Sequence, residues 1–213
     1  MLLRHGLKQN HLKEDASFLP LLKDCAKNKD IYKGMRLHAD IMRRDLITKN
    51  PYLASTLISM YAKCGVLTKA QQVHDELRVR TIVSWNALIS GYAQQGQGLE
   101  SLKCYEKMRK EGLPPDSITF TCILNACSRI GALERGKAIH REIVNMGLLD
   151  KNVVLGNALV DMYAKCGMLC KAEQVHDELC HQSVASWNAL IAGYAQDGRG
   201  HEALACFERM QSE

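Results

Sequence analysis

Apolar residues along this chain recur at helical spacing. Trp85, Leu88, Ile89 and Tyr92 fall at i, i+3, i+4 and i+7, which lines one helical face, while Asn86 and Ser90 share another. A second seam follows at Leu102, Tyr105 and Met108 and returns at Leu204, Phe207 and Met210. Gly65, Gly96, Gly131, Gly167 and Gly198 stand between paired helices, where a helix C-terminus calls for a residue able to take positive φ. Gly112-Leu113-Pro114-Pro115-Asp116 is expected to end a second helix, because proline cannot donate the next backbone bond. No segment carries the alternation of a strand. The pattern predicts an all-α chain of helix-turn-helix pairs.

These pairs repeat. An offset of 102 residues carries Ser84-Trp85-Asn86-Ala87-Leu88-Ile89 onto Ser186 through Ile191, and Tyr61-Ala62-Lys63-Cys64-Gly65 onto Tyr163 through Gly167. Residues 61–77 and 163–179 differ only at Val66/Met168, Thr68/Cys170 and Gln71/Glu173. The long period divides into repeats of 36 residues (117–152), 31 residues (153–183) and 35 residues (82–116). The same register sets repeats at 15–50, 51–81 and 184–213, the last cut short. Residues 1–14 read as an N-terminal segment or the end of a preceding repeat. A helix pair that is apolar on two sides cannot bury both alone, so neighbours must stack into an α-solenoid, with the first helix of each pair lining its inner surface.

Composition adds less. A formal net charge of +5 permits an anionic partner without demanding one. Nine cysteines without an amino-terminal secretory pattern point to a reducing compartment. Cys25/Cys127, Cys64/Cys166 and Cys104/Cys206 recur in register, so each pair is expected to fill one small buried slot. No apolar run approaches the roughly 18 residues needed to span a bilayer, which sets the expectation of a soluble protein with no membrane partner.

Val83-Ser84-Trp85-Asn86-Ala87-Leu88-Ile89 with Gly91-Tyr92 resembles the opening of a P motif of the plant-type pentatricopeptide repeat family. Ile123-Leu124-Asn125-Ala126-Cys127 with Gly136 to His140 resembles an L motif, and Gly156 through Gly167 an S motif. The three repeat lengths match the subfamily that alternates P, L and S motifs. On this resemblance 15–50 and 117–152 are L-type, 51–81 and 153–183 S-type, and 82–116 and 184–213 P-type. The resemblance implies a right-handed α-solenoid that binds single-stranded RNA in mitochondria or chloroplasts, one base per repeat. It also implies a role in choosing cytidines for C-to-U editing, alongside other RNA-editing factors.

In that family the fifth and last residues of a motif choose the base, and the second packs against its face. The resemblance therefore assigns base reading to Asn86 with Asp116, Thr121 with Asn152, Asn157 with Ser183, and Asn188, and base packing to Val83, Ile118 and Val154. An asparagine amide offers a donor and an acceptor to a Watson–Crick edge, and a carboxylate can accept from a ring N–H. The family pattern implies uridine for Asn86 with Asp116, cytidine for Asn157 with Ser183, and a pyrimidine for Asn188. Ser55 with Thr81 is not a usual pair, and Leu19 cannot hydrogen-bond a base.

Blander readings compete for several residues. Asn86, Asn157 and Asn188 could cap helices, since asparagine favours helix starts. Trp85 and Trp187 lead apolar seams and are expected in the core rather than against bases. His74-Asp75-Glu76 and His176-Asp177-Glu178 carry the His-x-Glu of zinc deaminases without the Pro-Cys-x-x-Cys half, so both histidines, like His38 and His140, are expected to be scaffold. The expectation is a non-enzymatic RNA-binding chain with no metal and no cofactor. The alternatives are a tetratricopeptide-like scaffold for peptides, and the RNA-binding fragment of a longer editing enzyme.

Overall fold

The computed structural model describes residues 18–48, 50–149 and 152–212. The 1–14 segment lies outside the described residues. Among the described residues twelve helices follow one another: α1 (helical over 18–28), α2 (Ile31–Arg43), α3 (Pro51–Lys63), α4 (Leu67–Asp75), α5 (Ile82–Gln94), α6 (Gly98–Lys110), α7 (Ser117–Ile130), α8 (Leu133–Asn145), α9 (Val153–Lys165), α10 (Leu169–Glu178), α11 (Val184–Gln196) and α12 (Gly200–Ser212). No strand occurs among the described residues, and the chain is an all-α helical-repeat solenoid.

Two compact units divide the chain. One holds the described residues up to Gln95 together with Lys103–Pro114, the other Gly96–Leu102 with Pro115 onward. In the first, α3 packs against α2, α4 and α5, and α4 also meets α5. In the second, α9 packs against α7, α8, α10 and α11, and α12 closes on α11. Alternate helices therefore lie side by side in each unit, as stacked pairs require. Leu57, Ile58 and Met60 of α3 are buried beside Trp85, Leu88 and Ile89 of α5, and Phe120, Ile123, Leu159, Val160 and Leu190 fill the second core. Each such side chain contributes about 2 kcal/mol of transfer free energy.

Trp85 is only 2% exposed, which places it in the core as expected. The fully buried His74 ring lies 4.2 Å from Trp85, centroid to centroid, and His176 lies 4.2 Å from Trp187. Both histidines therefore act as packing rings. Burial, reinforced by the Arg80 charge, holds the His74 pKa down to about 4. Glu111 fixes the edge of this cluster, accepting from Trp85 Nε1 at 3.0 Å and from Arg80 Nη1 at 2.7 Å. His38 and His140 form hydrogen bonds through Nδ1 to the hydroxyls of Tyr61 and Tyr163, at 2.8 and 2.9 Å.

The cysteine expectation needs correction at one pair. Cys25, Cys127, Cys104 and Cys206 are buried, but Cys64 and Cys166 are half-buried C-caps of α3 and α9, because helix ends face outward at the turn. The end of α6 also differs. It stops at Lys110, and Gly112 at φ 78° lets Gly112 N–H donate to Arg109 O at 3.0 Å and Leu113 N–H donate to Met108 O at 3.3 Å. This glycine turn satisfies the last carbonyls before the prolines are reached.

All five inter-helix glycines take positive φ, between 65° and 80°. The first copy breaks the pattern. Lys29 (φ 54°) and Asp45 (φ 51°) stand where the second copy has Gly131 (φ 65°) and Gly147 (φ 60°). Each forces a Cβ into the left-handed region, at roughly 1–2 kcal/mol.

Candidate nucleic-acid interface

The first turns of α3, α5, α7, α9 and α11 share one construction. A short polar residue precedes each: Asn50, Thr81, Asp116, Asn152 and Ser183. Its side-chain oxygen accepts a backbone N–H from the first turn, Tyr52 in α3, Ser84 in α5, Thr119 in α7, Leu155 in α9 and Ser186 in α11. By contrast α4, α8 and α10 begin at Val66, Ala132 and Met168 with no side-chain cap. The capping role that competed for the asparagines thus belongs to the last residue of each repeat. Asn86, Asn157 and Asn188 lie inside their helices, each as the fifth residue.

One cap also reaches the first helix of the preceding repeat. Within the second unit this brings Ser183 to Asn157: Ser183 Oγ donates to Asn157 Oδ1 at 2.9 Å while also accepting from Ser186 N–H at 3.2 Å. The asparagine oxygen is thereby occupied, and its NH2 is the group left to meet a ligand. Thr121 and Asn152 are bonded elsewhere. Thr121 donates to Ser117 O at 2.7 Å, inside α7, and Asn152 accepts from Leu155 N–H at 3.1 Å. Asp116 accepts from both the amide and the hydroxyl of Thr119 at 2.8 Å.

Asn86 is only 7% exposed, although its spacing set it apart from the apolar seam. The reason lies in α5 itself, which buries residues on several faces, from Ser84 and Trp85 round to Gly91 and Ala93. Asn157 is half-buried and Asn188 exposed. The aliphatic side chains at the second position of each helix are solvent-facing: Val83 46%, Ile118 62% and Val154 63%. An exposed branched chain one turn from an amide is a surface against which a flat ring can lie.

Helical spacing extends this face. Val154, Asn157, Asp161 and Lys165 form a stripe along α9, as do Ile118, Thr121, Asn125 and Arg129 along α7 and Tyr52, Ser55, Ser59 and Lys63 along α3. Lys63, Arg129 and Lys165 are exposed at the helix ends, and Lys165 Nζ pairs with Asp161 at 2.8 Å. A cation there suits both the helix C-terminus and a phosphate. These basic residues were missed by sequence reasoning, though the i, i+4 step from each fifth residue points to them.

Comparison with known proteins agrees with this architecture. A PPR repeat family model matches residues 80–129, and a PPR repeat model matches 53–82, 118–148, 157–184 and 185–213, together more than half of the chain. Among curated proteins of Arabidopsis thaliana, pentatricopeptide repeat-containing protein At4g16470 is 36% identical over 94% of this chain and 40% of its own length. The chloroplastic protein At4g25270 is 39% identical over 93% of this chain and 38% of its own length. The chain thus spans about two-fifths of these relatives. The fold is similar to a crystal structure of pentatricopeptide repeat protein PPR10 in complex with an 18-nt psaJ RNA element, with a TM-score of 0.71 at 20% identity over 92% of this chain and 29% of that one. It is also similar, at a TM-score of 0.53 and 14% identity, to nuclear proteinaceous RNase P 2 of A. thaliana, over 93% of this chain and 38% of that one. The chain belongs to the pentatricopeptide repeat family.

Proposed function

We propose that this chain is a sequence-preferring single-stranded RNA-binding segment of the P-L-S type, non-catalytic in itself, that selects sites for C-to-U editing in a plant organelle. The observation that carries the reading is the Ser183–Asn157 hydrogen bond beside the exposed Val154. One repeat offers a polarised amide for a base edge and an aliphatic surface for its face. We assign base reading likewise to Asn86 with Asp116, to Thr121 with Asn152 and to Asn188, with Val83 and Ile118 as the packing surfaces. Exposed Lys63, Arg129 and Lys165 supply the phosphate contacts.

Several features support the finer assignment. The shorter repeats owe their length to short second helices, 9 residues in α4 and 10 in α10 against 13 in α8. The matched RNA-bound neighbour is a PPR protein, and the relative At4g25270 is named chloroplastic. His74 and His176, the histidines of the two His-x-Glu stretches, are engaged in packing against tryptophans.

The test is selection from a randomised single-stranded RNA pool at two salt concentrations, followed by sequencing. Pyrimidines should be enriched opposite Asn157 and Asn188, and affinity should fall as salt rises. A chain that binds helical or extended peptides and leaves the RNA pool unenriched is a protein-binding scaffold, and this reading is then lost.

A further inference from the structure

One and two turns beyond the fifth residue of each repeat, the first helix presents the ninth and thirteenth residues on the same stripe. In the first unit Leu19 of α1 is followed by Lys23 and Lys27, Ser55 of α3 by Ser59 and Lys63, and Asn86 of α5 by Ser90 and Gln94. The three lysines are exposed, and no ion pair among the described residues holds any of them. Asp24, next to Lys23 in sequence, is engaged by Asn28 at 2.9 Å and by Lys33 at 3.3 Å. In α5, Gln94 Nε2 donates to Ser90 Oγ at 3.0 Å, so that stretch is polar but uncharged.

The second unit has a related order. Thr121 of α7 is followed by Asn125 and exposed Arg129, Asn157 of α9 by Asp161 and Lys165, and Asn188 of α11 by Ala192 and Gln196. Arg129 is in no ion pair among the described residues. Lys165 differs from it, because both carboxylate oxygens of Asp161 stand 2.8 Å from its Nζ. The spacing of one helical turn keeps the carboxylate near the ammonium even when the bond opens, so the pair delivers no net charge to a phosphate. The first copy lacks this counter-ion: Ser59 stands where the second copy has Asp161, and Lys63 is left unopposed.

Within each unit, then, the helices with leucine, serine or threonine at the fifth position carry an unopposed cation, and those with asparagine carry none. The geometry points to a division of labour in which α1, α3 and α7 grip the phosphates while α5, α9 and α11 meet the bases without a net charge of their own, Asp161 being the residue that cancels the cation of α9. This deepens the RNA-binding reading and rests on it. A phosphate grip strengthens right and wrong sequences alike, so withholding it from an asparagine helix leaves the hold there dependent on the base edge.

The experiment measures affinity against salt for the full chain and its variants, using the fluorescein-labelled RNA that the parent enriches most from a randomised single-stranded pool. Asp161→Ser, which installs the first-copy residue, should tighten binding and steepen the slope of log affinity against log salt by about 1, and Ser59→Asp should flatten it by about 1. Asp161→Ser with Lys165→Ala removes a pair of zero net charge and should keep the parent slope. Asn157→Ala should relax base preference at one nucleotide and leave the slope unchanged. Loss of fold cannot produce the tighter, steeper binding expected of Asp161→Ser. An unchanged slope in Asp161→Ser overturns the proposal, as does a double variant whose slope falls by about 1, since the pair would then be gripping a phosphate. A parent chain that binds no RNA overturns the RNA-binding reading together with this proposal, whereas RNA bound with the wrong pattern of slopes overturns this proposal alone.

Discussion

Ser183 Oγ donates to Asn157 Oδ1 at 2.9 Å, and the same oxygen accepts the N–H of Ser186 at 3.2 Å. One hydroxyl thus starts α11 and orients the amide of the preceding repeat. The amide NH2 is then the group left as a donor, which suits the ring-nitrogen acceptor of cytosine rather than the ring N–H of uracil. Ser183→Asp keeps a capping oxygen but adds an acceptor for that N–H, so the preferred base should move from cytidine to uridine, by roughly tenfold for about 1.4 kcal/mol. Stability should stay within about 0.5 kcal/mol. Sequencing of bound RNA reads the first effect and urea denaturation the second; an unchanged base profile counts against the assignment. Ser183→Ala should lose both, at about 1 kcal/mol of stability.

Removing exposed cations should act on all sequences alike. Lys63→Ala and Arg129→Ala should each weaken RNA binding without altering the selected bases, and each should lower the slope of log affinity against log salt by about 1. A shift in base preference with either variant would place that side chain at a base edge instead.

Lys29 and Asp45 hold left-handed backbone that Gly131 and Gly147 occupy in the second copy. Lys29→Gly and Asp45→Gly should therefore each stabilise the first helix pair by about 1 kcal/mol despite glycine's larger entropy in the unfolded chain. Slower amide exchange in α1 and α2 is the expected sign. No gain in either variant would mean that side-chain bonds offset the backbone cost.

His74 gives the first unit an acid sensitivity. Its pKa falls from 6.5 to about 4 on folding, so the unfolded chain binds the extra proton between those values. The stability contributed by the neutral buried ring is complete above pH 6.5 and is lost as pH falls toward 4, a change of about 3 kcal/mol for a shift of that size. His74→Phe keeps a ring against Trp85 and removes the proton site, so its denaturation midpoint should change less between pH 7 and pH 4.5 than that of the parent. Parallel pH profiles would exclude His74 as the source.

Much of this was legible in the residues because repetition and helical spacing are local signals. Trp85, Leu88 and Ile89 announced their buried seam, and the glycines at 65, 96, 131, 167 and 198 their turns. What escaped depended on neighbours. The near-complete burial of Asn86 comes from a helix packed on several faces, which no single-helix pattern reveals. The half-exposure of Cys64 and Cys166 follows from where α3 and α9 stop, and the ending of α6 at Gly112 rather than at the prolines is a matter of one residue's φ. The caps were hidden differently. Asp116, Asn152 and Ser183 close their repeats in the sequence, and only the helix boundaries show that they start the next helix.

Under the proposed function the last position in a repeat has two employments, and the capping one restricts its vocabulary. Any residue there must give up a side-chain oxygen to a helix start, so the amino acids open to it are in practice serine, threonine, asparagine and aspartate, and all four occur here, at Ser183, Thr81, Asn50, Asn152 and Asp116. Exchange within this quartet leaves the fold nearly indifferent while altering what is offered to a base. If these positions choose bases as proposed, an array built this way can drift from one target to another through single substitutions without passing through an unstable intermediate.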